Sequence, residues 1–302
     1  MNIGIIGSGF TGSMHAGLYA KIHGAVLKGI TSRTNVSAME TAQKYAVFCY
    51  ADYKEMLDDD SLDVIDICTP TVTHASIAAE CMRRGKHVIL EFPAVSNLSE
   101  LNDLQNISLQ TGKTCALAYY SRFQSQYSYL FDAAFTGSLG KINGVSISRK
   151  SSAVFATDDI VNNLMSQDID FMVRLLGRPD KIHASHSKQE QAVIVFEYGG
   201  LSAVIEGAVN MHDNFPFTTR HCVSGTDGSI SLFWKFTNHP EYVMTQTSKE
   251  GAKNIVTEDY DPYQRELELI IEGLASENIS AFDLNSAAAG IETAFECRSL
   301  LK

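Results

Sequence analysis

Several features that would point to particular protein classes are missing from this 302-residue sequence. No apolar run approaches the roughly 18 residues of a membrane-spanning helix, so we expect no membrane partner. The six cysteines form no CxxC pair, which favours reduced thiols over a disulfide framework or a zinc site. There are 24 Lys and Arg against 35 Asp and Glu, a net charge of −11, and no basic run, which argues against binding to nucleic acid.

Targeting and hydrolase motifs are also missing. The N-terminus lacks the basic region and cleavage site of a secretory signal, so we expect a cytoplasmic protein. No GxSxG, HExxH or glycine-rich kinase motif occurs, which disfavours nucleophilic hydrolysis and zinc chemistry, and we expect no metal site. The hydrophobic content of 45% is that of an ordinary globular protein, and the length favours two domains.

A glycine motif stands at the start of the chain. The apolar run Met1–Ile6 is followed by Gly7-Ser8-Gly9-Phe10-Thr11-Gly12 and then by a helix-compatible stretch, Ser13–Ile22. A strand, GxGxxG and a helix in this order are the fingerprint of dinucleotide binding. Gly7 permits the tight turn, Gly9 lets the backbone approach a pyrophosphate, and Gly12 lets the helix pack on its strand.

The order of strands and helices predicts an α/β protein with two domains. Strands and helices alternate over residues 1–120, which predicts an N-terminal Rossmann domain with a doubly wound parallel sheet. Residues 121–302 contain β-rich runs in series with short turns, which predicts an α+β domain with a large, open, mainly antiparallel sheet. We place the soft boundary near Tyr120 and expect Asp159–Leu176 to form a single helix.

Several motifs in order make the chain resemble the glucose-fructose oxidoreductase/inositol dehydrogenase (Gfo/Idh/MocA) family over nearly its full length. The motifs are GSGFTG from Gly7, ICTPTVTH from Ile67, RGKHVILEFP from Arg84, SRF from Ser121, SQDIDFMVRLLG from Ser166 and VSGTDGSISL from Val223. The resemblance implies a Rossmann domain, a C-terminal α+β domain and an active site in the cleft between them. It also implies a homodimer or homotetramer with contacts through the C-terminal sheet.

The resemblance also implies roles for particular residues. The residues that match the family's pyrophosphate turn are Gly7, Gly9, Phe10, Thr11 and Gly12. Thr69, Pro70 and His74 match the segment that lines the nicotinamide, and Glu91 matches a residue near the nicotinamide ribose. His74 has an alternative interpretation as a residue that only caps its turn.

The end of the second strand distinguishes NAD from NADP. An acidic residue there would bond the ribose hydroxyls of NAD, but the sequence is Thr31-Ser32-Arg33-Thr34-Asn35. Arg33 can meet a 2′-phosphate with a charge-assisted bond, and Ser32 adds a hydroxyl. We therefore predict NADP(H) over NAD(H), the alternative being that Arg33 only stacks on the adenine.

The sequence departs from the family at the residues that handle protons. Phe92 replaces the lysine of a typical Glu-Lys-Pro, and Asn163 and Gln167 replace the Asp and His of a typical Asp-x-x-x-His. None of these side chains titrates near neutral pH. Asn163 and Gln167 lie four residues apart, on one face of a helix, where they can still orient a polar substrate.

Three functions remain open. The first is an NAD(P)H-dependent reductase whose conjugated or imine-like substrate accepts hydride with little acid catalysis; biliverdin reductases are similar in having an aromatic residue at the position of Phe92. The second is a sugar or polyol dehydrogenase with a relocated base. The third is a cofactor-binding regulator or structural partner that catalyses nothing. Tyr119–Phe123 looks more like the sugar-type members.

We favour the reductase acting on a small-molecule substrate. Its hydride would pass to a substrate held by Phe92, Tyr120, Asn163 and Gln167. Tyr120 is the first choice as proton donor and Asp168 the second, although Asp168 also fits an exposed helix carboxylate. Other acid/base candidates are Asp170, Lys150 and His212.

Overall fold

The structure is a computed structural model that describes residues 1–152, 159–187 and 190–301. These residues divide into two compact units. The first comprises Met1–Phe123 and Tyr260–Ala288, and the second comprises Gln124–Asp259 and the residues from Ala289 onward. The predicted boundary lies near residue 120, whereas in the structure the first unit extends to Phe123 and includes a later segment as well.

The first unit contains a parallel sheet. Its strands are β1 (Asn2–Ile6), β2 (Val26–Thr31), β3 (Phe48–Cys49), β4 (Val64–Ile67), β5 (His87–Glu91) and β6 (Cys115–Ala118). They are arranged in the order β3-β2-β1-β4-β5-β6, and all the pairings are parallel. The strand order reverses between β1 and β4, which is where open α/β sheets bind ligands, at the carboxyl ends of the strands.

Helices connect and cover these strands. They are α1 (Phe10–Tyr19), α2 (Asn35–Tyr45), α3 (Tyr53–Leu57), α4 (His74–Arg83), α5 (Leu98–Thr111) and α8 (Pro262–Ala275), with 3-10 turns at Thr71–Thr73 and Tyr120–Phe123. Helix α8 begins at an Asp261 cap whose carboxylate accepts from the Tyr263 and Gln264 amides, and Pro262 fills its first turn. It packs against α1 and the 3-10 turn Tyr120–Phe123, which explains how a late segment of the chain joins the first unit.

The strands of the first unit contribute buried apolar side chains to its core. Ile3, Ile5, Val64 and Ile89 are fully buried and pack with Leu267 of α8. The sequences of strands that are covered on both faces are apolar runs, and this holds for these strands. The buried carboxyl of Asp66, in the middle of β4, is an exception.

The second unit contains a mainly antiparallel sheet. Its strands are β7 (Ile142–Ser152), β8 (Lys181–Ser187), β9 (Gln191–Tyr198), β10 (Leu201–Met211), β11 (Phe217–Gly225), β12 (Gly228–Phe236), β13 (Pro240–Ser248) and β14 (Gly251–Ile255). The order is β14-β13-β12-β11-β7-β10-β9-β8, in which the β10–β7 pair is parallel. Together with the parallel sheet, this confirms the predicted fold class.

Three α-helices contribute to the described part of the second unit. They are α6 (Ser125–Phe135), α7 (Ser166–Leu176) and α9 (Leu284–Leu300), of which α9 starts in the first unit. Leu130 of α6 and Met172 of α7 belong to the apolar core formed with Ile147 and Ile205 of the sheet. Among the described residues, no helix combines the length and the apolar character needed to cross a membrane.

The predicted helix Asp159–Leu176 is not a single α-helix. Val161–Met165 form a π-helical segment, and α7 begins only at Ser166. The segment packs closely on β10, because a Cβ added to Gly207 would lie 2.6 Å from the Met165 side chain. The wider π-helical turn therefore interrupts the α-helix that was predicted for Asp159–Leu176.

Candidate cofactor and active site

The glycine motif forms the turn that its spacing predicts. Gly7 has a φ of +112°, and a Cβ there would lie 2.5 Å from the Cys68 carbonyl oxygen. A Cβ on Gly12 would lie 1.9 Å from the Gly7 carbonyl oxygen, so only glycine lets α1 pack this closely on β1. A Cβ on Gly9 would meet nothing within 4 Å. Protein atoms therefore crowd the turn at Gly7 and Gly12, whereas the space beside Gly9 is open.

Helix α1 starts inside the motif, earlier than the predicted Ser13. Gly9 is its N-cap, with an extended backbone and no side-chain hydrogen bond at the cap. The Phe10 ring is 86% exposed and Thr11 is half-buried. The first-turn amides of α1 are therefore free of a capping side chain at the open side of the turn, an arrangement that suits an anion.

The end of β2 borders the same turn. The Gly7 amide donates to the Thr31 carbonyl at 2.8 Å, which ties the turn to β2. Ser32 is half-buried and Arg33 is exposed, and among the described residues Arg33 forms no ion pair. The hydroxyls of Ser8 in the turn and Ser37 in α2 are hydrogen-bonded at 2.5 Å. An exposed guanidinium is thus available beside the turn.

The segment after β4 is held by its own side chains. His74 is buried, and its Nε2 lies 2.7 Å from the Thr69 carbonyl oxygen. Burial lowers the pKa of His74, so the neutral ring donates its Nε2 proton to that carbonyl. Thr73 donates to the Thr69 hydroxyl at 2.8 Å, while Pro70 is exposed. His74 thereby fixes the Thr69–Pro70 turn rather than capping α4.

Glu91 closes β5 and contacts a buried histidine. Its Oε1 lies 3.2 Å from Nε2 of His15, and its side chain is partly exposed. His15 Nδ1 bonds to the Asp66 carboxylate at 2.8 Å, and Tyr19 donates to the same oxygen, also at 2.8 Å. Burial opposes the charge on His15, but Asp66 raises the pKa of His15 well above its usual range. The two carboxylates therefore favour the imidazolium form of His15.

Sequence reasoning missed this group of residues. Asp66 lies inside an apolar strand and His15 on the buried face of α1, and a polar residue at a core position is the signal that marks them. Cys68 completes the group, since its thiol donates to Asp66 at 3.4 Å. Ligand atoms of His15, Asp66 and Cys68 lie within 4.8 Å of one another, close enough for a metal ion. Their mutual hydrogen bonds already account for them, and we assign no metal.

Phe92 and Tyr120 lie at the carboxyl edge of the same sheet. The Phe92 ring meets Tyr119 edge-on, with ring centroids 5.2 Å apart. Tyr120 stacks on Tyr263 of α8 at 5.0 Å. Tyr120 is half-buried in this arrangement. The first unit thus brings Phe92 and Tyr120 to the strand ends that also carry Glu91 and the glycine turn.

Asn163 and Gln167 do not share an environment, contrary to prediction. Asn163 is exposed on the π-helical segment, whereas Gln167 is buried on α7, and its Oε1 lacks a hydrogen-bond partner among the described residues. The four-residue spacing places side chains on one face only along a continuous α-helix. The change of helix type between the two residues breaks that relation.

Asp168, the second choice as proton donor, lies in a buried ion pair. Its carboxylate is 1% exposed and accepts two hydrogen bonds from Arg149, at 2.6 and 2.7 Å, and His221 Nε2 lies 3.2 Å away. Burial opposes ionisation, but Arg149 and then His221 lower the pKa of Asp168 to about 2. Arg149 and His221 thus favour the ionised form, and the buried side chain is not the exposed helix carboxylate considered above.

The other acid/base candidates of the second unit are placed as follows. Lys150 pairs with Glu206 at 2.9 Å, and the His212 ring meets Phe215 edge-on. Asp170 is buried. Lys150 is thus already matched to a carboxylate of the neighbouring strand.

Comparison with known proteins agrees with this geometry. Residues 1–119 match the model of an oxidoreductase family with an NAD-binding Rossmann fold, Gfo/Idh/MocA. Over 140 residues the chain is 33% identical to a 4-carboxy-2-hydroxymuconate-6-semialdehyde dehydrogenase from Sphingobium, covering 46% of this chain and 44% of that protein. It is 24% identical to the myo-inositol 2-dehydrogenase of Thermotoga maritima, covering 91% and 89% of the two chains.

A solved structure is similar over the whole chain. The UDP-N-acetylglucosamine 3-dehydrogenase of Acidithiobacillus ferrooxidans superposes with a TM-score of 0.87 at 20% identity, covering 100% of this chain and 97% of that one. That likeness shows the fold. Over residues 1–119 the chain matches the Gfo/Idh/MocA family model, in agreement with the resemblance carried by its motifs.

Proposed function

We propose that this protein is an NADP(H)-dependent reductase that transfers a hydride between nicotinamide and a small organic substrate. The observation that carries the proposal is the glycine turn, which is closed against β1 and β4 but open at Gly9, where α1 begins. Backbone amides at such an opening suit a diphosphate. The residues that would hold the cofactor are Gly7, Gly9, Phe10, Thr11, Gly12, Ser32, Arg33, Thr69, Pro70, His74 and Glu91.

The bound nicotinamide would supply or accept the hydride. The protein's own residues would position the substrate and exclude water, with Phe92 offering an apolar face. Tyr120 remains the proposed proton donor, because it is a half-buried hydroxyl at the carboxyl edge of the parallel sheet. We expect Tyr120→Phe to lower turnover about 100-fold or more while leaving the dissociation constant for NADPH unchanged, as steady-state kinetics and calorimetry would show. Full turnover in this variant would remove Tyr120 from the mechanism.

The preference for NADP(H) is proposed from Arg33. Its exposed guanidinium beside the turn forms no ion pair with described residues, and Ser32 and Thr34 are the adjoining hydroxyl residues. We expect Arg33→Ser to weaken NADPH binding about 10- to 100-fold and to leave NADH binding nearly unchanged, because only NADPH carries the 2′-phosphate. Fluorescence titration with both nucleotides measures this.

The matched control is Lys28→Ser, which removes an exposed positive charge from β2, the strand that precedes Arg33. It should alter neither affinity beyond about twofold, as expected for a charge screened by solvent. Equal losses in the two variants, or tighter NADH than NADPH binding in the wild type, would reject the assignment.

A cofactor-binding protein without catalysis is the second candidate. It is favoured by the loss of titratable groups: Phe92 and Gln167 cannot exchange protons near neutrality, and Asp168 is locked in an ion pair with Arg149. A panel of bilins, imines and keto sugars separates the two candidates. The reductase consumes NADPH with one of these substrates, whereas the regulator binds NADPH and consumes none.

A further inference from the structure

Glu266 is a buried acidic residue that has no role in the proposed reaction. It lies on α8, its side chain is 0% exposed, and neither carboxylate oxygen has a hydrogen-bond partner among the described residues. An ionised carboxylate without partners is costly to bury, so the group is held in its neutral form. Burial, followed by the charge of Glu91, raises the pKa of Glu266 well above its usual range.

The groups that act on Glu266 come from each element around it. Helix α8 packs against α1 and the 3-10 turn, and the charges that influence the pKa of Glu266 are those of Glu91 on β5, His15 on α1, Asp66 on β4 and Arg122 on the 3-10 turn. On α8 itself, the Tyr263 hydroxyl remains protonated, because burial raises its pKa. Arg122 donates to the Ala281 carbonyl and to the Ser286 hydroxyl, both at 3.1 Å.

The buried acid cluster is defined as Asp66, His15, Glu91 and Glu266. His15 Nε2 is a third unsatisfied atom in it, besides the two Glu266 oxygens, since its 3.2 Å contact with Glu91 is not aligned as a hydrogen bond. The Asp66 and Glu91 carboxyl groups already belong to this cluster, and the positive side chains that oppose them are His15 and, nearby, Arg122. Ionising Glu266 would add a further negative charge, which becomes favourable only when another positive charge is brought close.

We propose that Glu266 holds a proton in the cofactor-free protein and releases it when the positively charged ring of an oxidised pyridine nucleotide binds near Glu91. The inference rests on the proposed function, because the family resemblance puts Glu91 near the nicotinamide ribose. The reduced ring is neutral and leaves the proton in place. The cluster thereby makes the protein sensitive to the oxidation state of its cofactor through charge.

Proton release on binding makes affinity depend on pH in a defined direction. Because binding and ionisation are linked, each proton released increases the association constant up to tenfold per pH unit. We expect NADP⁺ binding to the wild type to strengthen with rising pH toward this limit and NADPH binding to change less than threefold. Calorimetry in buffers of different ionisation enthalpy counts the released protons, with close to one expected for NADP⁺ and none for NADPH.

Glu266→Gln keeps the shape of the side chain and removes the proton site. We expect this variant to bind both nucleotides and to release no proton with either. Glu272→Gln is the matched control, because it makes the same change on an exposed turn of α8 and should behave as the wild type. Equal proton release by wild type and Glu266→Gln, or by NADP⁺ and NADPH, would overturn the proposal.

A measurement without cofactor separates this proposal from the proposed function. A raised folded-state pKa of Glu266 contributes stability that is fully present below about pH 4.3 and is lost as pH rises through the folded-state value. The unfolding constant of the wild type should therefore rise relative to that of Glu266→Gln by up to tenfold per pH unit in this window. A constant ratio shows that Glu266 does not hold the proton, whatever the cofactor result. Failure of both nucleotides to bind would instead reject the proposed function, and with it the cofactor-linked release.

Discussion

Gly9→Ala should weaken NADPH binding at least 10- to 100-fold while changing the free energy of unfolding by less than about 1 kcal/mol. Gly9 has a φ of −69°, which alanine adopts readily, and the added Cβ would meet no protein atom within 4 Å. The new methyl group would therefore occupy the open side of the turn, where a pyrophosphate is proposed to lie against the backbone. Calorimetric titration and urea unfolding of the same preparation measure both quantities.

Two further glycines make this test specific. Gly12→Ala places a Cβ 1.9 Å from the Gly7 carbonyl oxygen, so we expect a loss of several kcal/mol in stability. Gly144→Ala, on β7 of the other unit, meets its nearest atom at 3.9 Å and should change neither affinity nor stability appreciably. Unchanged NADPH affinity in a folded Gly9→Ala variant would place the diphosphate elsewhere.

Asp168→Asn should destabilise the second unit by about 3 to 5 kcal/mol. The substitution removes the negative charge that pairs with the buried Arg149 guanidinium, and it replaces one acceptor oxygen facing Arg149 and His221 with an amide NH2 donor. Thermal or urea unfolding measures the loss. Asp227→Asn is the control, because its 3.5 Å pair with Lys249 is exposed and should contribute less than about 1 kcal/mol.

The same ion pair predicts a direction of pH dependence. The pKa of Asp168 is lowered to about 2, so its contribution to stability is present above the unfolded-state value near 3.9 and is lost as pH falls toward 2. This contribution is roughly 2 to 3 kcal/mol and should be missing from Asp168→Asn. If the variant and the wild type lose stability in parallel between pH 4 and 2, Asp168 is not ionised in the native protein.

Local sequence patterns were sufficient for much of the fold. The strand, GxGxxG and helix order predicted the turn at Gly7 and the close packing of Gly12 on the Gly7 carbonyl, because the positive φ of Gly7 and the contact of Gly12 are local features. The alternation of strands and helices predicted the parallel sheet, and the later β-rich runs predicted the antiparallel one. The start of α1 at Phe10 was missed because the motif itself forms the first turn of the helix.

Local sequence patterns could not predict which residues far apart in the sequence contact one another. Tyr260–Ala288 joins the first unit through packing of α8, which no periodicity reveals. Asp168 looks like a surface carboxylate until Arg149, on another element, covers it. His15 and Asp66 are separated by 51 residues, so their bond depends on the sheet bringing α1 over β4. The candidate cofactor residues were found by motif, whereas the buried acid cluster required the structure.

The most direct test of the account is a calorimetric titration of the wild-type protein with NADPH and with NADH at neutral pH. Saturable binding of one nucleotide per chain, with NADPH at least tenfold tighter than NADH, is the predicted result. No measurable heat or fluorescence change with either nucleotide would contradict the proposed cofactor binding, because the open glycine turn would then hold no diphosphate.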